Sequence, residues 1–182
     1  MVSNYNIGPG NLILHGGVIE SYWATNFIRA LGSGPGQVQI TGGASGVGIN
    51  GATGMSVIFG NTAAFEAVWG TLFFNPSTLV LQASSAQAKA SITFATKIDL
   101  NGANGTVAAN GTNLGVTSTI SGAIRNSVGT AAGLTKTGPG LLILTAANTY
   151  DGGTTINQGN LRFGGLTSMP AAGDVAGQTG TT

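Results

Sequence analysis

Short runs in which every second residue is apolar follow one another along the chain, separated by turns rich in glycine and asparagine. Three such runs are Val38–Ile40, Ile98–Leu100 and Leu161–Phe163. This alternation predicts strands with one buried and one solvated face, and it places the central residues Gln39, Asp99 and Arg162 on the solvated face.

The same reading predicts a series of strands of three to five residues. They are Leu12–Leu14, Val38–Thr41, Val57–Phe59, Thr78–Leu81, Ser91–Phe94, Lys97–Leu100, Thr106–Ala108, Val116–Ile120, Leu141–Leu144, Thr154–Ile156 and Asn160–Phe163. The connections carry Asn-Gly at 50–51, 101–102, 104–105 and 110–111. Both residue types tolerate the positive φ that tight turns need. The best candidate for a helix is Ser21–Ala30, which is short and aromatic.

One motif recurs three times, as GPGNLILHGG from Gly8, GPGQVQITGG from Gly34 and GPGLLILTAA from Gly138. The first two starts, at 8 and 34, lie 26 residues apart. Strands this short cannot bury a face alone, so they must stack on copies of themselves. Because sandwich strands are usually longer, the pattern favours a β-solenoid over a sandwich or a barrel. We expect about seven to nine coils of roughly 20–26 residues each.

Composition agrees with a folded, strand-rich chain. Of the 182 residues 32 are glycine and 42% are apolar, so the chain is not a disordered linker. Only 6% are charged, against about 25% in ordinary soluble domains. The six basic residues are scattered rather than clustered, which excludes a nucleic-acid partner. No apolar run approaches the ~20 residues of a transmembrane helix, so we expect no membrane insertion in this chain. We do not expect the segment MVSNYNIGPG to be a signal peptide, because it has no basic n-region and no apolar h-region.

The residues that carry chemistry in other proteins are isolated here. The acids are Glu20, Glu66, Asp99, Asp151 and Asp174, and none has a second acid beside it in sequence. His15 is the only histidine, and it occupies the motif position that holds Thr41 and Thr145 in the other two copies. The Gly-Pro-Gly turns lack the lysine and the following helix of a phosphate loop. We therefore expect no catalytic site, no cofactor and no metal site, and a solvated or turn-stabilising His15.

The segment Phe59–Asn75 is the most aromatic, with Phe65, Trp69, Phe73 and Phe74. We interpret these rings as the filling of a wide coil. The alternative is an exposed platform around Trp69 or Trp23 on which a sugar could stack.

The stretch Gly133–Gly165 is the clearest repeat. It resembles the autotransporter-associated β-strand repeat, also called the passenger-associated transport repeat. The matching positions are Gly133–Lys136, Gly138, Gly140, Leu142, Leu144, Asn148–Tyr150, Gly152, Thr154–Ile156, Gly159 and Leu161. The departure is the doubled glycine at 152–153, where the family often has one.

The preceding region is similar to the segment that often comes before this repeat in large surface proteins. Its landmarks are Gly17–Glu20, Arg29–Gly32, Gly36–Gln39 and Ile98–Gly102. The resemblance covers about residues 11–173 and implies an all-β fold, a right-handed parallel β-helix. It also implies export to the cell surface or the medium of a bacterium. We assign residues 1–165 to the β-helix and 166–182 to a partial next coil or a flexible tail.

These features predict a non-enzymatic extracellular structural β-helix, a building block of a bacterial surface stalk or self-stacking filament. Neither end offers a capping helix or a charged last strand, so we expect further coils to stack on both ends. They would come from another copy of the chain or from neighbouring repeats of a longer one. The alternative function is an adhesin or passenger module that binds a surface glycan or host surface through its lateral face.

Overall fold

The computed structural model describes residues 8–22, 25–51, 53–82, 90–113 and 115–177. Within these ranges the chain forms eighteen short β-strands and no helix. Consequently this part of the chain holds no helix that could cross a membrane. The candidate helix Ser21–Ala30 is wrong, because residues 26–29 form a strand in which Phe27 and Arg29 are buried.

The strands build the three sides of a coil. The first side is a seven-stranded sheet of β2 (Val18–Ser21), β5 (Ala44–Ile49), β8 (Thr78–Leu81), β11 (Gly105–Ala109), β14 (Leu134–Thr137), β16 (Thr154–Ile156) and β18 (Val175–Gly177). The second side is a six-stranded sheet of β3 (Asn26–Arg29), β6 (Met55–Phe59), β9 (Ile92–Phe94), β12 (Ser118–Ile120), β15 (Leu141–Leu144) and β17 (Asn160–Phe163). The third side contains β1 (Leu12–His15) with β4 (Val38–Gly42), and β7 (Glu66–Val68) with β10 (Lys97–Asp99) and β13 (Ile124–Arg125).

The chain visits the first, second and third sides in turn, and each strand pairs in parallel with the strand one coil away. The expected parallel β-helix is therefore confirmed, while its right-handed sense stays a prediction. Seven strands in the longest sheet span about 30 Å at the usual spacing of roughly 4.8 Å. The assignment of residues 166–182 also stays a prediction, although β18 pairs with β16 as the start of a further coil.

Coil length is less uniform than the sequence motif suggests. On the second side Val57 pairs with Phe94, 37 residues later. On the first side Lys136 pairs with Ile156, 20 residues later. The aromatic residues fill the long coil: the ring of Phe59 lies 5.3 Å from that of Phe94, and Trp69 lies 5.4 Å from Phe74. The expected 20–26 residues per coil thus holds for the step from β1 to β4 and for most steps in the C-terminal half, whereas the coils between them are longer.

The Gly-Pro-Gly copies do not share one side of the coil. The copies at Gly8 and Gly34 stack in register, with Leu12 opposite Val38 and Leu14 opposite Ile40. The copy at Gly138 leads into β15 on the second side. One motif therefore serves two corners of the coil, since both need a tight turn followed by a strand with alternating apolar residues.

Candidate functional site

Residues 133–165 make one full coil and two sides of the next. The chain runs through β14, a turn at Gly138–Gly140 and β15, and then reaches the third side, where Thr149 bridges to Arg125. It returns through β16 and β17, which lie in register on β14 and β15. The side chains of this segment are therefore positioned to contact the neighbouring coils.

Glycines stand where the corners of successive coils approach closely. A Cβ at residue 140 would lie 2.3 Å from the carbonyl oxygen of Gly111, and a Cβ at residue 159 would lie 2.5 Å from that of Gly138. Neither distance is compatible with a side chain. Gly140 does not have a positive φ, so the neighbouring coil alone excludes a side chain there.

Lys136 of β14 is fully buried. Its Nζ donates hydrogen bonds to the carbonyl oxygens of Thr137 and Gly138, at 2.7 Å each, and to that of Gln158 in the next coil, at 2.9 Å. Burial lowers the pKa of this ammonium from 10.5 to about 8. Three carbonyl oxygens thus take the place of a carboxylate partner, and they join two successive coils.

Two further residues of the repeat are buried polar groups. Asn148 accepts a hydrogen bond from the backbone N–H of Ile124 in the preceding coil, at 2.9 Å. Its Nδ2 donates to the carbonyl oxygen of Ser168 in the following coil, at 2.6 Å. The hydroxyl of Tyr150 lies 2.7 Å from that of Thr154, and burial raises the pKa of Tyr150. Asn148 therefore connects three coils through their backbones.

Asp151 holds a corner loop in place. Its Oδ1 accepts from the N–H of Ala132, at 3.1 Å, and from Nδ2 of Asn126, at 2.9 Å. These hydrogen bonds lower the pKa of the Asp151 carboxyl. Asn126 also donates to the carbonyl oxygens of Val128 and Thr130, so that one acid and one amide order the loop between β13 and β14.

The third side brings together two acids that are far apart in sequence. Arg125 on β13 donates through Nε to Glu66 Oε1, at 2.6 Å, and its Nη2 lies 3.1 Å from Asp99 Oδ2. Asp99 is only 2% exposed, so its expected position on a solvated face is wrong. Burial raises the pKa of its carboxyl, but hydrogen bonds from Ser127 and Asn101 and the charge of Arg125 outweigh that effect, and the pKa is lowered.

The remaining candidate residues stand apart. Glu20 and Asp174 are exposed, and His15 is exposed with Nδ1 3.2 Å from Thr41 Oγ1, its partner in the stacked copy of the motif. Among the described residues no three His, Asp or Glu side chains group as metal ligands would. Asp99, Glu66 and Arg125 form an ion cluster that the sequence spacing alone does not indicate.

Trp69 is 5% exposed, and its Nε1 donates to the carbonyl oxygen of Pro76 at 3.1 Å. The interpretation as coil filling is confirmed for Trp69 and Phe74, whereas Phe65 is 38% exposed. Trp23 lies outside the described residues. A groove of about 280 Å³ with a mainly apolar lining lies along the corner between the first and second sides. It is lined by Gly111–Asn113, Gly115–Thr117, Pro139–Leu141 and Asn160.

Comparison with protein families identifies residues 134–163 as a passenger-associated-transport-repeat. These residues span the two strand pairs β14 with β16 and β15 with β17, together with the turns between them. No curated protein and no solved structure matches the chain.

Proposed function

We propose, starting from the passenger-associated-transport-repeat at residues 134–163, that this chain is a non-enzymatic structural β-helix of a bacterial surface protein. The repeat supports an autotransporter passenger type of protein, which is secreted or exposed on the cell surface. The finer role that we propose is that of a building block in a stalk or a self-stacking filament.

One observation carries this proposal. The polar residues that define the repeat are directed at the backbones of neighbouring coils. Lys136 binds carbonyl oxygens of its own coil and of the next, and Asn148 binds the coils on both sides. These side chains stabilise the stack of coils, because each forms hydrogen bonds with buried backbone groups that would otherwise have no partner. Their polar groups are thereby used within the rod and not for binding a ligand.

The alternative role as an adhesin remains a prediction of the resemblance. Its aromatic platform does not include Trp69, because that ring is buried and its N–H is bonded within the chain. The corner groove is the lateral feature that a glycan-binding test should address first.

Electron microscopy of the purified chain at neutral pH tests the proposed role. We expect rods or filaments much longer than the roughly 30 Å of one stack of coils. A monodisperse monomer of 17.9 kDa at high concentration, without ordered assemblies, would contradict self-stacking. In that case the same sample should be screened on immobilised glycans, where binding would favour the adhesin role.

A further inference from the structure

Gly10 accepts a hydrogen bond from Arg29 through its carbonyl oxygen, but no contact within its own chain requires this residue to lack a side chain. Its φ is not positive, and a Cβ built on it would meet no atom of the described part of the chain within 4 Å. Its counterpart in the third copy of the motif is Gly140, where a Cβ would collide with the carbonyl oxygens of Gly111 and Ala109 in the preceding coil. At position 140 the preceding coil leaves no room for a side chain, so glycine is required there. The same motif position holds glycine at residue 10, although no described residue lies close to a Cβ built there.

The strand that follows Gly10 also resembles the strand that follows Gly140. β1 reads LILH and β15 reads LLIL, with Leu12 and Leu14 at the places of Leu142 and Leu144. β15 lies on the second side of the coil and pairs with β17. β1 is the terminal strand of its own two-stranded sheet, and among the described residues only β4 pairs with it.

β17 is the last strand of the second side within the described residues. The N–H groups of Asn160 and Gly164 donate to the carbonyl oxygens of Gly140, just before β15, and of Leu144, at its end. Successive residues of a parallel strand direct their backbone groups to alternate neighbours, so those of Leu161 and Phe163 face the outer edge. This edge presents hydrogen-bonding groups for one more parallel strand.

β1 offers the matching edge. The N–H of Leu12 donates to Gln37 beside β4, so the backbone groups of Asn11 and Ile13 face away from β4. Leu12, Leu161 and Phe163 are only partly buried, although all three pack against the core. Pairing β1 with β17 would cover these side chains and satisfy both rows of backbone groups.

We propose that β1 of a second copy adds in parallel to β17, with Leu12 opposite Leu161 and Leu14 opposite Phe163. This inference rests on the proposed self-stacking and names its interface. Gly10 of the second copy then lies over the corner at Gly159, as Gly159 lies over Gly140. The second copy is turned by one side of the coil, so that its β1 continues the second side of the first copy.

The register predicts a specific cross-link. Ile13 and Arg162 point outward, are exposed and become opposite neighbours across the new pair. Adjacent strands lie about 4.8 Å apart, within the Cα separation of roughly 4.4–6.8 Å that a disulfide accepts. The chain has no cysteine, so the double variant Ile13→Cys/Arg162→Cys should give a ladder of disulfide-linked oligomers on oxidation. Each single variant should give no ladder beyond a dimer.

Substitution of Gly10 provides the second test. Gly10→Val has room for its side chain within one copy but would place it against the carbonyl oxygens of the neighbouring copy's corner. We expect assembly to weaken by at least about tenfold in concentration, with the thermal unfolding of the dilute chain unchanged. The matched control is Gly129→Val, because Gly129 is also exposed, without a positive φ and without atoms near its Cβ.

The outcomes separate this interface from the proposed function. If filaments form, yet the double-cysteine variant gives no ladder or Gly10→Val assembles normally, the interface is wrong and the structural role stands. If the unmodified chain forms no assembly at any concentration, self-stacking and the interface both fail. A ladder together with a selective loss in Gly10→Val supports both.

Discussion

Within the described residues, two buried cations are paired with backbone carbonyls. Lys136 donates to three carbonyl oxygens at one corner of the coil, and Arg29, 8% exposed, donates to those of Gly8 and Gly10 at another, at 2.9 Å each. Corners of a β-helix stack carbonyl groups that no strand partner can satisfy, and a long basic side chain reaches several of them at once. Both residues thus hold a Gly-Pro-Gly turn in place.

The buried ammonium predicts a pH effect on stability. Burial lowers the pKa of Lys136 to about 8, against 10.5 in the unfolded chain. Between these values the unfolded chain binds a proton that the folded chain has lost, so the unfolding free energy rises with pH. Relative to Lys136→Met, the natural chain should gain up to about 3 kcal/mol between pH 7 and 10.5, measured by denaturant titration.

The comparison with Lys136→Met cancels groups that titrate in both proteins, including Tyr150, whose pKa burial raises. Lys97→Met on the exposed surface is the matched control, and its pH profile should follow that of the natural chain. A difference between the natural chain and Lys136→Met that stays flat with pH would mean that the three carbonyls hold the lysine pKa near its ordinary value.

Single elements were predicted best where turn residues directly precede a short run of strand-forming residues. The segments Thr78–Leu81, Leu141–Leu144, Thr154–Ile156 and Asn160–Phe163 match the observed strands residue for residue. Strands β5 and β14 were missed, because glycines interrupt the apolar pattern of one and Lys136 is an inward residue of the other. Strand β3 was not predicted for the same reason, because its inward residue Arg29 is charged. A prediction from apolar alternation misses strands that carry an inward charged residue. The partners of these charges are backbone carbonyls, and no residue type in the sequence indicates them.

Asn148 tests how strongly one side chain holds an element. Asn148→Ala leaves the N–H of Ile124 without its bonded side chain and the carbonyl of Ser168 without its donor. An unsatisfied buried polar group costs about 1–3 kcal/mol, so we expect the loss of both bonds to lower the free energy of unfolding by roughly 2–6 kcal/mol. Hydrogen exchange should rise first in residues 165–177, which follow the lost bond. Asn157→Ala, at an exposed corner, should change neither quantity.

For the whole molecule, the sequence indicated stacking but not the size of each coil. The 26-residue spacing of the first two motif copies appears directly as the register of β1 on β4. This spacing does not extend along the chain, because the coils range from the 37 residues between Val57 and Phe94 to the 19 between Leu144 and Phe163. Extra residues at the corners lengthen a coil without changing the alternation within its strands. The strand pattern therefore does not indicate how long each coil is. The ion cluster of Glu66, Asp99 and Arg125 depends on these lengths and was not predictable.

Low charge predicts how assembly responds to salt. With 6% charged residues, and with the proposed contact made by leucine, phenylalanine and backbone groups, stacking depends little on electrostatics. Raising the ionic strength from 0.1 M to 1 M shortens the screening length from about 10 Å to about 3 Å. We expect the filament length distribution and the threshold concentration, measured by light scattering and microscopy, to stay within about twofold or to shift toward assembly. If the filaments dissolved at 1 M salt, charged side chains such as Arg162 would instead contribute a large part of the stability of the contact.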